Sequence, residues 1–593
     1  MIALPVETQP DENPIKIGPS ARKADWPTIG VVSLIVLLGL ALRLWGIGWS
    51  LPNAQHPLAT YHPDELVNLQ ATQAIDIPHG QFDTHFYNYG TFYFYLASFA
   101  QTFGRGYGLV PATPAPSADL SHVEQMTRLA PEMAGLYLAG RITTALLGTA
   151  TIALLFALGT RLYGRKTGFL AAMMYAVAPL AVVHAHFLTV DVPATFFVTF
   201  ALLCASRLLT TPTRKNYVLA GIACGLCAAT KYNTGLVLAA PLMAHFLNRR
   251  FAYSSTNENI ASPPSGFLGR GAGGEGLLLL IGVALLTFLI ACPGPWLNWN
   301  TFWNGTYHGT GVRYELFEHS RQGHGPQFEQ TGLGWVYHLL VSLPYGMGIL
   351  LLLLSLVGVA YACRQRTKGD LILLAFFLLY YLATGLSAVR FARYMLPLFP
   401  VLCLFAARFV CEPFPRPRPR LVLYAIGCVV TLVTLIYTVG LVRHMAQPDP
   451  RDVAAAYLND HAAPGAAIAF ATTPWYYSPP LSPRFGELAA SRRALAAQEV
   501  TRYQLRLPAP NTEWDISVFS PAPDYIVISN LETLHVVDRL RQPTAVAWMN
   551  AIPQNYTRKT FGSSDVFGLP PNRTIIPEDL LYIMPTLTVY EKR

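Results

Sequence analysis

The 593-residue chain is 52% hydrophobic and only 13% charged, with a mean hydropathy of +0.34; soluble domains carry about twice that charge. The formal net charge of +9 does not mark a nucleic-acid binder, because the basic residues fall in short loops between apolar runs, where membrane orientation rules put them. All eight cysteines lie in or beside those runs and none follows residue 443, which argues against a disulfide framework. Cys224-x-x-Cys227 sits in an apolar run without a second pair and reads as two small packing residues.

In chain order, residues 1–27 are polar and Pro-rich, with Lys16, Arg22 and Lys23, and read as a cytoplasmic N-terminal tail. The apolar run 28–48 reads as an uncleaved anchor, since no small-residue cleavage site follows it. Further spans are predicted at 141–160, 169–187, 192–209, 217–231, 234–247, 276–292, 338–362, 371–387, 394–411 and 420–442, about eleven in all. Counted from a cytoplasmic N-terminus, the inner loops are Arg161–Gly168, Thr210–Tyr217, Asn248–Glu275, Arg364–Asp370 and Cys411–Arg420, and each is basic. The expected fold class is therefore an α-helical polytopic membrane protein, with a transmembrane domain over 28–443 and large outer loops at 49–138 and 293–337. The first of these contains an aromatic amphipathic stretch, Phe86–Phe103, of the kind that lies along a membrane interface. From 444 to 593 no run is long enough to span. Asp449–Leu458 reads as a helix and Ala466–Ala471, Tyr525–Ser529 and Leu581–Met584 as strands, which gives a small extracytoplasmic α/β domain. The membrane region shows no internal repeat, which counts against an inverted-repeat transporter.

Polar residues gather at four places on the expected outer face. Asp64 and Glu65 follow Tyr61-His62-Pro63. Pro63 suits the first turn of a helix and disfavours helix at His62, so Asp64 falls at a helix N-terminus. Adjacent side chains on a helix diverge, so the two carboxylates should not act on one atom as a pair. The plainer reading is an acid favoured there by the helix dipole. His184-Ala-His186-Phe-Leu-Thr-Val-Asp191 joins two spans; Asp191 is either a helix cap or a charge facing a cavity. Lys231-Tyr232-Asn233 places a cation against the positive-inside bias, so it needs an anionic partner or a snorkelling route. Arg390 and Arg393, at i and i+3, share a face if the segment is helical, and precede Tyr394. Two arginines beside an apolar span suit a phosphate at the membrane surface. An ion pair with Asp64 or Asp191 is the structural alternative for each of these cations.

The order of these elements resembles the GT-C superfamily of polyprenyl-phosphate-dependent glycosyltransferases, in particular the protein O-mannosyltransferases and the lipid A aminoarabinose transferase. The residues that carry the resemblance are Asp64-Glu65, Arg141, His186 with Asp191-x-Pro193, and Gly221, Gly225 and Thr230-Lys231-Tyr232. Arg393-Tyr394-x-Leu-Pro397-x-x-Pro400, Asp449-Pro-Arg451 and Thr473-Pro-Trp475-Tyr476 continue it. The resemblance implies transfer of a sugar from a polyprenyl-phosphate donor, with inversion, to a hydroxyl of a glycan, lipid or protein acceptor at the outer face of the plasma membrane. It also implies that Asp64 is the catalytic base, with Glu65 beside it. Lys231, Arg390 and Arg393 would then meet the donor phosphate, and His186, Asp191, Tyr232 and Tyr394 would line the substrate cavity. Some relatives bind a divalent metal, for which no ligand set is identified in this chain. The chain departs from many relatives in carrying Tyr89-Gly90-Thr91 where they have a Lys-Pro-Pro type element, so sugar and acceptor stay open. A lipid or sugar transporter and a non-catalytic membrane binding protein are the competing readings; a transporter would need ionisable groups near mid-membrane, where they are scarce.

Overall fold

The structure, a computed structural model, describes residues 26–113, 120–255, 274–306, 309–412, 417–482, 502–509, 512–564, 566 and 576–593. The expected N-terminal tail, and parts of the Asn248–Glu275 and Cys411–Arg420 loops, fall outside the described residues. The chain is a multi-pass helical membrane protein. Among the described residues seven helices are long and apolar enough to cross a bilayer, or up to nine if each of two bent pairs is one span. The expected segments 217–231 and 234–247 become the helix Arg214–Thr230, the 3-10 turn Tyr232–Leu238 and the helix Ala239–Ser255; the two α-helices, 17 residues each, stand at the short end of what crosses a bilayer and are not among the seven.

Three boundaries differ from the sequence reading for identifiable reasons. The helix expected from 141 begins at His122 and runs 42 residues to Tyr163, because Ser121 and Glu124 form a reciprocal capping box. The expected outer loop 49–138 is accordingly built of the helices Pro63–Gln73 and Phe92–Gly106 and the start of this long one. The run 338–362 is not one span: Gly334–Met347 and Ile349–Gln365 meet at 120°. The break is Gly348, whose φ of 82° suits a residue without a Cβ. Pro179, at the first helical position, breaks 169–187 in the same way, with a bend of 65°.

The glycines of the 214–230 helix show how closely the bundle packs. A Cβ on Gly225 would stand 2.5 Å from the Ala284 carbonyl oxygen, so only glycine lets this helix lie against Gly274–Ala291.

After the helix Pro417–Met445 come the helix Pro450–His461 and five strands: β1 (Ala467–Phe470), β2 (Gln504–Arg506), β3 (Tyr525–Ser529), β4 (Tyr556–Phe561) and β5 (Leu587–Lys592). Their order is β2-β1-β3-β5-β4, with β1 parallel to β2 and β3, and β5 antiparallel to β3 and β4. The strand expected at Leu581–Met584 is absent. Leu581 closes a short helix, Glu578–Leu581, and the strand lies later, at β5. A short apolar run does not distinguish strand from buried helix, and here Leu580 to Met584 are buried in the same core as the membrane helices. This turn of the tail is thus packed against the membrane helices, while the sheet keeps cores of its own.

Candidate active site

The helix Pro63–Gln73 starts as its sequence dictates. His62 is extended and caps it, its ring accepting from the Asp64 amide, with Pro63 at the first position. Asp64 and Glu65 then point apart. Glu65 is fully buried and receives two guanidinium hydrogen bonds from Arg141, at 2.8 and 2.7 Å. It also accepts from the Thr60 hydroxyl and the Leu188 amide. Burial alone would raise the Glu65 carboxyl; Arg141 and these bonds outweigh it and hold it below the usual carboxylate range. Arg141 in addition donates to the Ile47 and Trp49 carbonyls. Glu65, expected beside Asp64 in the chemistry, is instead the buried brace between the first outer segment and the long helix.

Asp64 faces the opposite way and accepts from Arg393 Nη2 at 2.9 Å. Arg393 is the second residue of a 3-10 turn, Ala392–Leu398, at the head of the helix Phe399–Cys411. Its Nη1 donates to Asp579 at 2.6 Å and its Nε lies 3.9 Å from Asp191. Asp191, the first residue of the helix Asp191–Leu208, pairs with Lys231 at 2.6 Å. Lys231 also stands over the Tyr394 ring, 4.3 Å from its centroid. Three carboxylates and two cations thus form one cluster. Within it Asp64 is the open member, its side chain 26% exposed where those of Asp191 and Asp579 are 5% and 1%.

Beside this cluster is a cavity of about 320 Å³, at the lower end of small-molecule sites. Lys231, Tyr232, Asn233, Tyr89 and Tyr394 line it, together with Glu315, His319 and Arg321. The Tyr232 hydroxyl donates to the Tyr87 and Tyr89 carbonyls, which fixes the ring against the first outer segment. Burial and, second to it, the charge of Asp64 push the Tyr89 hydroxyl well above its ordinary value, so the acid acts on a cavity wall. Among the described residues the buried Oδ1 of Asn233 meets no hydrogen-bond donor, and both Asn233 and Thr384 line the cavity.

Three expectations are corrected. Asp191 does not line the cavity itself; it stands behind Lys231, which does. Arg390 does not join Arg393: residues 386–391 are not helical, the i, i+3 relation fails, and its guanidinium donates to the Thr331 hydroxyl and the Ser387 carbonyl. His186 does not line the cavity; it is fully buried, its ring nitrogens directed at the carbonyls of Val182 and Trp45. Two residues that sequence reasoning passed over do belong here. Asp579 lies 186 residues from Arg393, and only the fold brings them together. Arg321 falls in an expected outer loop and carries no motif. As for a metal, no group of three or more His, Cys, Asp or Glu side chains able to hold one occurs among the described residues. Asp64, Asp191 and Asp579 are committed to Arg393 and Lys231, so these three carboxylates do not fit an ion.

Residues 133–258 match the model of the family described as dolichyl-phosphate-mannose-protein mannosyltransferase. That stretch holds Arg141, Asp191, Lys231 and Tyr232, and it bears out the resemblance to the GT-C glycosyltransferases. No curated protein matches the chain. Among solved structures, ArnT from Cupriavidus metallidurans bound to undecaprenyl phosphate is similar over 94% of this chain and 98% of its own, at 13% identity and a TM-score of 0.45. The apo oligosaccharyltransferase of Archaeoglobus fulgidus is similar over 93% and 76%, at 13% identity and a TM-score of 0.43. The S. cerevisiae Pmt1-Pmt2 protein O-mannosyltransferase complex, bound to its sugar donor, is similar over 46% and 34%, at 15% identity and a TM-score of 0.32. At these scores the functional reading rests on the site and the family match.

Proposed function

We propose that the chain transfers a sugar from a polyprenyl-phosphate donor to a hydroxyl acceptor at the outer face of the membrane, with inversion. The observation that carries this reading is the open carboxylate of Asp64, held by Arg393 in the charge cluster whose Lys231 lines a polar and aromatic cavity. Asp64 takes the acceptor's proton as its oxygen bonds to the anomeric carbon. The bond from that carbon to the phosphate breaks, and the electron pair leaves with the polyprenyl phosphate. Fixed cations lower the barrier by meeting the charge that develops there. Arg393 and Lys231 are matched to carboxylates, so the phosphate draws on Arg393 from the Asp64 side, on Lys231 at the cavity wall and on the exposed Arg321. Asn233, Thr384 and the tyrosines offer the sugar hydrogen bonds and ring faces. The donor class is tested by offering polyprenyl-phosphate sugars to the purified protein and following attachment of sugar to a hydroxyl acceptor; the absence of transfer from every donor rejects the reading.

Arg393→Lys keeps the charge and loses the planar fork. The expected result is slower transfer and weaker donor binding per folded molecule. Unchanged donor affinity and rate in folded protein removes Arg393 from the phosphate site.

The sidedness is tested by single cysteines in a variant freed of its own. A thiol reagent that stays outside intact cells is expected to label Asp460→Cys in the tail and to miss Arg364→Cys in the basic loop. The reverse pattern inverts the topology.

A further inference from the structure

The turn that bears Asp579 arrives from the far end of the chain and is buried against the membrane helices. Both oxygens of its carboxylate are used. Oδ1 accepts from Arg393 Nη1 and Oδ2 from the Ala392 amide, each at 2.6 Å. One side chain therefore fixes the guanidinium and the backbone just before it. A guanidinium is a rigid plane, so pinning Nη1 sets where Nη2 points, and Nη2 is the atom that holds Asp64. The His184 ring stands 3.7 Å from the same carboxylate.

The turn is itself braced on both flanks. Glu578 accepts from the Tyr476 hydroxyl at 2.7 Å and lies 3.0 Å from His535 Nε2. Arg451, clasped by Asp449, donates to the Tyr582 and Tyr476 carbonyls at 2.7 Å. The Trp49 indole donates to Asp449, and the Tyr61 hydroxyl to Asp452. These contacts register the tail against the segment that leads into Pro63 and Asp64. The two ends of the Asp64–Arg393–Asp579 chain are thus tied to each other by a second route.

We propose that Asp579 is a positioning residue for sugar transfer: the tail clamps Arg393 through it, and Arg393 in turn orients Asp64. This rests on the glycosyltransferase reading. A site finished by the tail assembles only when tail and membrane helices are docked.

The test uses the full-length chain, with rates taken per folded molecule. Asp579→Asn keeps the shape and an acceptor for the Ala392 amide while removing the charge. Its kcat is expected to fall on the order of tenfold, the worth of a charge-assisted hydrogen bond, and Asp579→Glu to recover part of that loss. If Asp579 acts through Arg393, adding Asp579→Asn to Arg393→Lys costs less than about twofold more, since coupled residues are not additive. A merely structural anchor would lower the melting temperature and leave kcat per folded molecule unchanged. That result, or a loss that multiplies fully with that of Arg393→Lys, overturns the proposal. A wild-type chain that transfers no sugar, or an Asp64→Asn chain that turns over normally, rejects the underlying reading before Asp579 is altered.

Discussion

Asp64→Asn is expected to lower sugar transfer by about a hundredfold or more, the usual worth of a positioned general base, while the protein folds and binds donor. The amide keeps the size of the side chain and can still accept from Arg393 Nη2, now without charge. What it cannot do is take a proton from the acceptor. The exposure of Asp64 makes this separation possible: with its side chain 26% open, the residue contributes little to packing, and Arg393 keeps Asp579 and Asp191 as neighbours. Equal kcat for the variant and the parent would remove Asp64 from the chemistry.

The second large effect falls on stability. Removing one partner of the Glu65–Arg141 pair, by Arg141→Ala or Glu65→Ala, is expected to cost about 3–5 kcal/mol, the range for a broken buried ion pair. Both side chains are fully buried, so the surviving charge has no water to turn to. Glu65→Gln should cost less, because an amide can still accept from Arg141 and from the Leu188 amide. The pair also has a pH signature. The Glu65 carboxyl is held below its usual range in the folded chain, so its contribution is present above the unfolded value and is lost as acid protonates it. Thermal melting of the purified variants in detergent measures the loss. A melting temperature for Arg141→Ala equal to the parent's would contradict the brace, and acid titration of Glu65→Gln should show a flatter loss of stability than the parent.

Local rules make part of this arrangement legible in the amino-acid sequence. The X-Pro step at His62-Pro63 locates the helix start at Asp64, and helical geometry alone separates Asp64 from Glu65. The need of Lys231 for an anion is also readable, and Asp191 meets it. Long-range pairing is not readable. Nothing local in Pro577-Glu578-Asp579 announces that the acid will sit on Arg393, because the contact is made by docking the tail. Arg390 fails for a related reason. Its expected partnership assumes helix through residues whose backbone is irregular, so spacing carries no information about direction. The bend at Gly348 and the early start at Ser121 show the same limit at the level of spans: hydropathy finds an apolar run, while caps and glycines decide where it begins and folds back.

The role of Asp64 as the base in sugar transfer is measured by the release of polyprenyl phosphate from a polyprenyl-phosphate sugar, with and without a hydroxyl acceptor. The parent and Asp64→Asn chains are to be compared at equal folded concentration. Acceptor-dependent release by the parent and a near-complete loss in the variant are expected. Release by neither chain with any donor would reject sugar transfer from this donor class, and equal release by both would remove Asp64 from the chemistry.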